Sequence, residues 1–298
     1  MKAPKKPRRH GAATPRLQKW TPLVVLGLLA LGVAATVWMR QRGTSDPVAN
    51  AGTNPPPIAS SIPDPAPSPP LDTNDVTQMV NLGNDLLAEG RLDESVSAYL
   101  RAKALNPDDE EIYFALGVAR ARQGKIDEAL NSYSEALRLL PEYPEAHNNL
   151  GNLLVKLKRP QEAERHFVSA IRSSPENSAT YNNLGRCLVE LGRMPEAVTN
   201  FTEAVRLNPD FLEAQHNLAN ALLSTGRAQE GLGNLTELVR RNPDFVEGRY
   251  SLGLAHLQAG RVDESIREFE EALRRKPGFQ PAQIGLERAK ARQAASGK

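Results

Sequence analysis

Three short stretches place side-chain amides where they could pair with a peptide backbone. Asn148 and Asn149 precede Leu150-Gly151-Asn152, Asn182 and Asn183 precede Leu184-Gly185-Arg186, and His216 and Asn217 precede Leu218-Ala219-Asn220. Asn81 and Asn84 take corresponding places upstream, around Leu82-Gly83. A carboxamide offers two N–H donors and one carbonyl acceptor, so a row of them can bind an extended peptide whatever its side chains. On a helix, residues three and four apart share a face, which brings the members of each stretch together. The alternative is that Asn-Asn-Leu-Gly is simply repeated phrasing on a solvated face.

Other chemistry finds little support. The sequence contains no phosphate-binding glycine loop, no GxSxG, no HExxH and no CxxC. His147, His166 and His256 are dispersed, and none has a second ligand at a metal spacing, so they read as packing residues. Asp93-Glu94 and Asp263-Glu264 read as helix starts rather than as acid–base pairs. The one cysteine, Cys187, reads as a small packed residue. These observations predict no catalytic residues, no metal and no cofactor, and therefore a protein that is not an enzyme.

The amide stretches belong to a longer sentence of 34 residues, written six times without a gap over 76–109, 110–143, 144–177, 178–211, 212–245 and 246–279. The seventh residue is always Leu: Leu82, Leu116, Leu150, Leu184, Leu218 and Leu252. The eighth is Gly except for Ala219, and glycine is costly inside a helix without a packing reason. Close approach of a second helix is the expected reason, with small residues at position 20 (Ser95, Ala129, Ala163, Ala197, Gly231, Ser265) as the partners. An aromatic stands at position 24 except for Leu235. Gly90, Gly124, Gly192, Gly226 and Gly260 mark left-handed helix ends, and Lys158 breaks that pattern. Position 19 is always Glu, complementing a helix amino terminus, and a proline from Pro107 to Pro277 closes each copy. Each copy therefore reads as two short amphipathic helices, and stacking the copies builds one continuous core.

The period and these positions resemble the tetratricopeptide repeat family. The resemblance implies an all-α fold, a right-handed α-solenoid of helix-turn-helix repeats, with the first helices lining a concave groove. It also implies a peptide-binding site at Asn81, Asn84, Asn148, Asn149, Asn152, Asn182, Asn183, Arg186, His216, Asn217 and Asn220. The asparagines are similar to the ladder in the repeat region of O-GlcNAc transferases. The basic clamp by which other members hold a chaperone carboxylate is not matched, since only Arg186 stands there, beside Glu213.

The flanks have their own character. Residues 1–20 carry seven basic residues and no acid, as a cytoplasmic tail would. Residues 21–39 carry no charge and have Trp20 and Trp38 at their ends. As a helix they would span about 29 Å, matching a bilayer core of about 30 Å, so they read as a transmembrane signal anchor. Cleavage near Ala49 or Ala51 stays an open alternative. The positive-inside rule puts the amino terminus in the cytoplasm and the repeats on the far side, as in a bacterial inner-membrane protein with periplasmic repeats. Residues 43–75 hold nine prolines and read as an extended, disordered linker, with Asp72, Thr73 or Asn74 capping the first repeat helix. The net charge of +2 divides into +5 over 1–75, −6 over 76–279 and +3 over 280–298, which disfavours a nucleic-acid groove.

Residues 280–298 read as a capping helix and tail, with Ala282, Leu286 and Ala289 on the last repeat and Arg288, Lys290 and Arg292 facing water. Repeat five, with Gly231, Gly233 and Leu238, reads as a soft spot. The function that follows is a membrane-anchored, non-catalytic interaction adaptor that binds an extended partner segment in bacterial envelope assembly or secretion. The alternatives are a repeat subunit of an O-linked glycosyltransferase system and a purely structural scaffold. Oligomeric state is left open by the sequence.

Overall fold

A 13-residue amphipathic helix closed by a left-handed residue is followed by a 14-residue helix that ends in extended backbone, and the chain repeats that pair. The computed structural model describes residues 75–296. Its elements are α1 (Val76–Ala88), α2 (Leu92–Leu105), α3 (Glu110–Arg122), α4 (Ile126–Leu139), α5 (Pro144–Lys156), α6 (Pro160–Ser173), α7 (Ser178–Glu190), α8 (Met194–Leu207), α9 (Leu212–Ser224), α10 (Ala228–Arg241), α11 (Val246–Gln258), α12 (Val262–Arg275) and α13 (Gln280–Ser296). There is no strand among the described residues. Odd and even helices pair as antiparallel hairpins, which stack in chain order as an α-solenoid. The expected tail 1–20, anchor 21–39 and linker before Asp75 lie outside the described residues. Among the described residues no helix is long and apolar enough to cross a membrane.

Each first helix ends in the same way. Gly90 N–H donates to Leu87 C=O and Arg91 N–H reaches back to Leu86 C=O, which satisfies carbonyls the helix would otherwise orphan. The five predicted glycines have φ between 74° and 80°. Lys158 does not break the pattern: it takes φ 60°, and its neighbours make the same two bonds. A lysine therefore carries a conformation that glycine would adopt without steric cost.

The helix starts differ from expectation. Asp75, rather than a residue of 72–74, caps α1 by accepting from Thr77 N and Gln78 N at 2.8 and 3.2 Å. The second helices begin on an arginine, or on Lys125 in α4, whose side chain makes no cap bond. Instead Arg91, Arg159, Arg193 and Arg227 each fork onto the position-19 glutamate three residues on, at 2.5–2.8 Å. These pairs are about half exposed, so water screens them and they add little to stability.

The recurrent glycine admits the second helix, as expected, and the group that crowds it most is a ring of that helix. A Cβ on Gly83, Gly117, Gly151, Gly185 or Gly253 would fall 2.4–2.7 Å from the ring of the aromatic at position 24. Those rings (Tyr99, Tyr133, Phe167, Phe201, Phe269) are at most 2% exposed. Burying one contributes roughly 1.5–3 kcal/mol, several times an exposed ion pair, so the ring decides the packing. Repeat five confirms the coupling. Leu235 is shorter than a ring, and there the glycine is replaced by Ala219, both fully buried. The small residue at position 20 meets the backbone beside that glycine: Ser95 Oγ donates to Gly83 C=O at 2.8 Å, and a Cβ on Gly231 would lie 2.8 Å from Ala219 C=O.

Between pairs the core is continuous. One cluster runs from Ala129 and Tyr133 through Leu150, Phe167, Leu184 and Phe201 to Leu222, and further clusters extend it toward both ends. The first helices α1 and α3, α5 and α7, α7 and α9, and α9 and α11 touch directly, while successive second helices do not approach to the same extent. Closer spacing on one side bends a stack toward that side, so the first helices form its inner face. At the carboxyl-terminal end Ala282 and Ala289 are fully buried against α12, with Leu286 packed beside them. Arg292 is exposed, as expected, and also donates Nη1 to Leu257 C=O at 2.9 Å.

Candidate functional site

The amides lie on the inner face, but they are not all free. Asn183 Nδ2 donates to Asn148 Oδ1 at 3.0 Å, and Asn217 Nδ2 donates to Asn182 Oδ1 at 2.9 Å. The rule is that the residue before the invariant leucine bonds the residue two before the same leucine in the preceding pair. His216 and Ser251 continue it, with Nε2 2.7 Å from Oγ. The structure therefore brings Asn148, Asn182, Asn183, His216 and Asn217, with Ser251, into one row that stitches α5, α7, α9 and α11 together, while Asn81 and Asn84 lie on α1.

This separates two groups that the sequence treated alike. Asn148 and Asn182 are 8% and 1% exposed and spend their oxygens on the neighbouring pair. They are structural members of the row. Asn149, Asn152, Asn183, Asn217 and Asn220 are half-buried, and Asn81 and Arg186 are exposed. Asn183 and Asn217 each use one amide hydrogen in the row. Asn149 Nδ2 lies 3.5 Å from Tyr133 Oη, and Asn84 Oδ1 accepts from Tyr99 Oη at 2.7 Å.

The electrostatics are nearly neutral. Arg186 Nη1 lies 3.4 Å from Glu213 Oε1, and Asn182 Nδ2 reaches the same oxygen at 3.5 Å. The only predicted cation of the groove is thus paired, and no basic clamp forms around it. His216 is held below the usual imidazole range by burial, against the opposing pull of Glu247 and Glu213. Its ring packs edge-on against Phe245, and Asn220 Nδ2 lies 3.1 Å from Nε2. A neutral, half-buried amide row with donors and acceptors in alternation is suited to main-chain N–H and C=O groups and to uncharged side chains. It holds no nucleophile with an oxyanion site.

Elsewhere Cys187 is buried, with Sγ 3.1 Å from Pro160 C=O and its thiol pushed up to about 11 mainly by burial, so it is inert packing. Among the described residues no group of three or more His, Cys, Asp or Glu could hold a metal ion. The histidine reading needs one correction. His147 and His166, taken as separate packing residues, face each other with Nδ1 atoms 2.9 Å apart. They stand 19 residues apart on two helices, so only the hairpin register reveals the contact.

The comparisons agree with this fold. Tetratricopeptide repeat family models match residues 216–278 and 142–210, and a TPR repeat model matches 83–124 and 119–158; together they cover well over half the chain. No curated protein matches the sequence. Among solved structures, the chain is similar to YrrB, described as a TPR protein with an unusual peptide-binding site, at 23% identity and a TM-score of 0.56 over 64% of this chain and 99% of that one. It is also similar to Pseudomonas aeruginosa pilF at 19% identity and 0.62, over 70% and 95%. MamA from Desulfovibrio magneticus RS-1 aligns at 18% and 0.54, over 58% and 97%. At these identities the likeness is one of fold.

Proposed function

Since this chain belongs to the tetratricopeptide repeat family, we propose that it is a non-catalytic protein-interaction scaffold that holds an extended partner segment along its amide row. The observation that carries this reading is the stitched row itself. Asn148 and Asn182 fix the spacing of successive first helices, and Asn149, Asn183 and Asn217 present amides on the same face at a regular interval. Regular spacing is what an extended backbone offers in return. YrrB, similar in fold, is described as having a peptide-binding site, which supports a peptide as the class of ligand.

The reading extends to the flanks. Residues 21–39 anchor the chain in a membrane, residues 43–75 act as a spacer, and the basic tail 1–20 sets the amino terminus in the cytoplasm. The repeats then work on the far side of a bacterial inner membrane, in envelope assembly or secretion. The absence of charge over 21–39 supports the anchor, and the basic bias supports the orientation. A carboxyl-terminal reporter active only outside the cytoplasm tests it; activity of a cytoplasm-only reporter overturns it.

The groove is tested by Asn149→Ala, Asn183→Ala and Asn217→Ala together. Each lost amide bond costs about 1 kcal/mol, so partner binding should weaken on the order of a hundredfold. Circular dichroism melting checks that the helices remain. Unchanged partner binding in a folded triple variant rejects the groove.

A further inference from the structure

We propose that His147 and His166 form a two-imidazole site for a borderline divalent transition-metal ion, zinc or copper, which ties α5 to α6. The sites bridged are positions four and twenty-three of the repeat, the first on a first helix and the second on its partner. In the other pairs those places hold Met79 and Ala98, Tyr113 and Ser132, Tyr181 and Asn200, Gln215 and Asn234, and Arg249 and Glu268. The last is a direct tie between the two helices, with Arg249 Nη1 3.1 Å from Glu268 Oε2. The third pair puts two imidazoles at the same crossing.

The protein's own repeats assign the tautomers. His147 Nε2 lies 3.0 Å from Pro141 C=O. The equivalent side chains make the equivalent bond: Gln215 to Pro209, Arg249 to Pro243, and Gln283 to Pro277. Amide and guanidinium nitrogens can only donate there, so this place in the fold demands a donor, and His147 meets it with Nε2–H. Its Nδ1 therefore carries a lone pair, pointed at Nδ1 of His166 2.9 Å away. That nitrogen in turn carries the hydrogen that fills the gap.

Such an arrangement is close to a metal site in three respects. Two imidazole nitrogens converge from two helices packed against each other. One ligand already donates its other N–H to a backbone carbonyl, the contact that orients metal-bound histidines and raises their basicity. Both rings are half-buried, so packing holds them in this crossing. With metal–nitrogen bonds of about 2.0–2.1 Å, tetrahedral ligands sit about 3.3 Å apart, so the rings need to part by only a few tenths of an ångström and tilt. No third His, Cys, Asp or Glu joins them among the described residues, and water completes the coordination. Imidazole favours zinc and copper over hard cations.

Metal entry replaces a hydrogen without releasing a proton: the Nδ1 hydrogen of His166 passes to Nε2 of the same ring, and both Nδ1 lone pairs bind the ion. The test is calorimetric titration of the metal-stripped, tag-free full chain with Zn²⁺, Cu²⁺ and Mg²⁺. The variants are His147→Gln and His166→Asn, residues the protein itself uses at these positions, so the proline bond and the helix crossing survive. The proposal expects one Zn²⁺ or Cu²⁺ per chain, no Mg²⁺ binding, at least tenfold weaker affinity in either variant, and an enthalpy independent of the buffer's ionisation heat. No binding, or equal binding by the wild-type chain and both variants, overturns it and leaves the pair as a neutral N–H···N hydrogen bond.

Discussion

Asn217 Nδ2 donates to Asn182 Oδ1 at 2.9 Å, across the boundary between two hairpins and 35 residues apart in the chain. The acceptor is 1% exposed and the donor half-buried. One amide is spent inside the stack so that the next can be presented at its surface. Losing the donor is therefore the costlier change, because it strands the buried acceptor. Asn217→Ala leaves Asn182 Oδ1 unpaired inside the stack and should lower stability by about 1–3 kcal/mol, whereas Asn149→Ala, with only a 3.5 Å contact to Tyr133 Oη to lose, should cost less than about 1. Urea denaturation of both variants checks the order.

Gly185 and Phe201 form a lock of the same kind in apolar form. A Cβ on Gly185 would lie 2.5 Å from Phe201 Cε1, so Gly185→Ala should destabilise by about 1–3 kcal/mol. The double variant Gly185→Ala with Phe201→Leu rebuilds the Ala219–Leu235 pair of the fifth hairpin. It should be more stable than the sum of its single changes, and a double-mutant cycle in urea measures that coupling.

Lys158 stands at φ 60° with only an exposed contact to Glu190 at 3.5 Å to lose. Lys158→Gly should raise stability by about 1 kcal/mol, since the strain relieved exceeds a surface ion pair. An unchanged or lower urea midpoint would contradict that argument.

The buried histidines set an acid limit. His147, His166 and His216 all have folded pKa values lowered by burial. An unfolded imidazole takes its proton near pH 6.5, so the unfolded chain binds more protons below that pH. Stability should hold above about pH 6.5 and fall as the pH drops through and below it. His216→Asn, the residue used in the two preceding hairpins, should flatten part of that fall. Urea midpoints at pH 7.5, 6 and 5 read it out.

The fifth hairpin should open first. Gly233 is exposed on α10 with no neighbour within 4 Å of its missing Cβ, and α10 also carries Gly231. Two glycines lower its helix propensity by about 2 kcal/mol relative to alanine. Native-state hydrogen exchange should find α10 amides less protected than those of α6 and α8; uniform protection would reject the soft spot.

The sequence was most legible where one residue type answers one backbone demand. The left-handed glycines, closing prolines and invariant leucines announced the hairpins, because each repeats at a fixed place. It was less legible where two positions trade against each other. Gly185 answers to Phe201 rather than to Ala197, and only the distances show which neighbour crowds it. Asn182 and Asn183 are adjacent and chemically identical, yet one turns into the stack and the other toward its surface. The same applies to Arg292 and to the His147–His166 contact, both set by how one helix lies on another. Asp75 was missed as a cap because Asn74 and Thr73 are equally good candidates in composition.

The most direct test of the central claim is a photo-crosslinking residue at Arg186, which is exposed on the inner face and outside the buried part of the row. Its control is the same residue at Thr199, exposed on the second helix of the same hairpin. In intact cells the account predicts one discrete protein adduct from position 186, absent from position 199 and lost in the Asn149, Asn183 and Asn217 triple alanine variant. Adducts from position 199 with none from 186 would contradict it and move the interaction to the outer face.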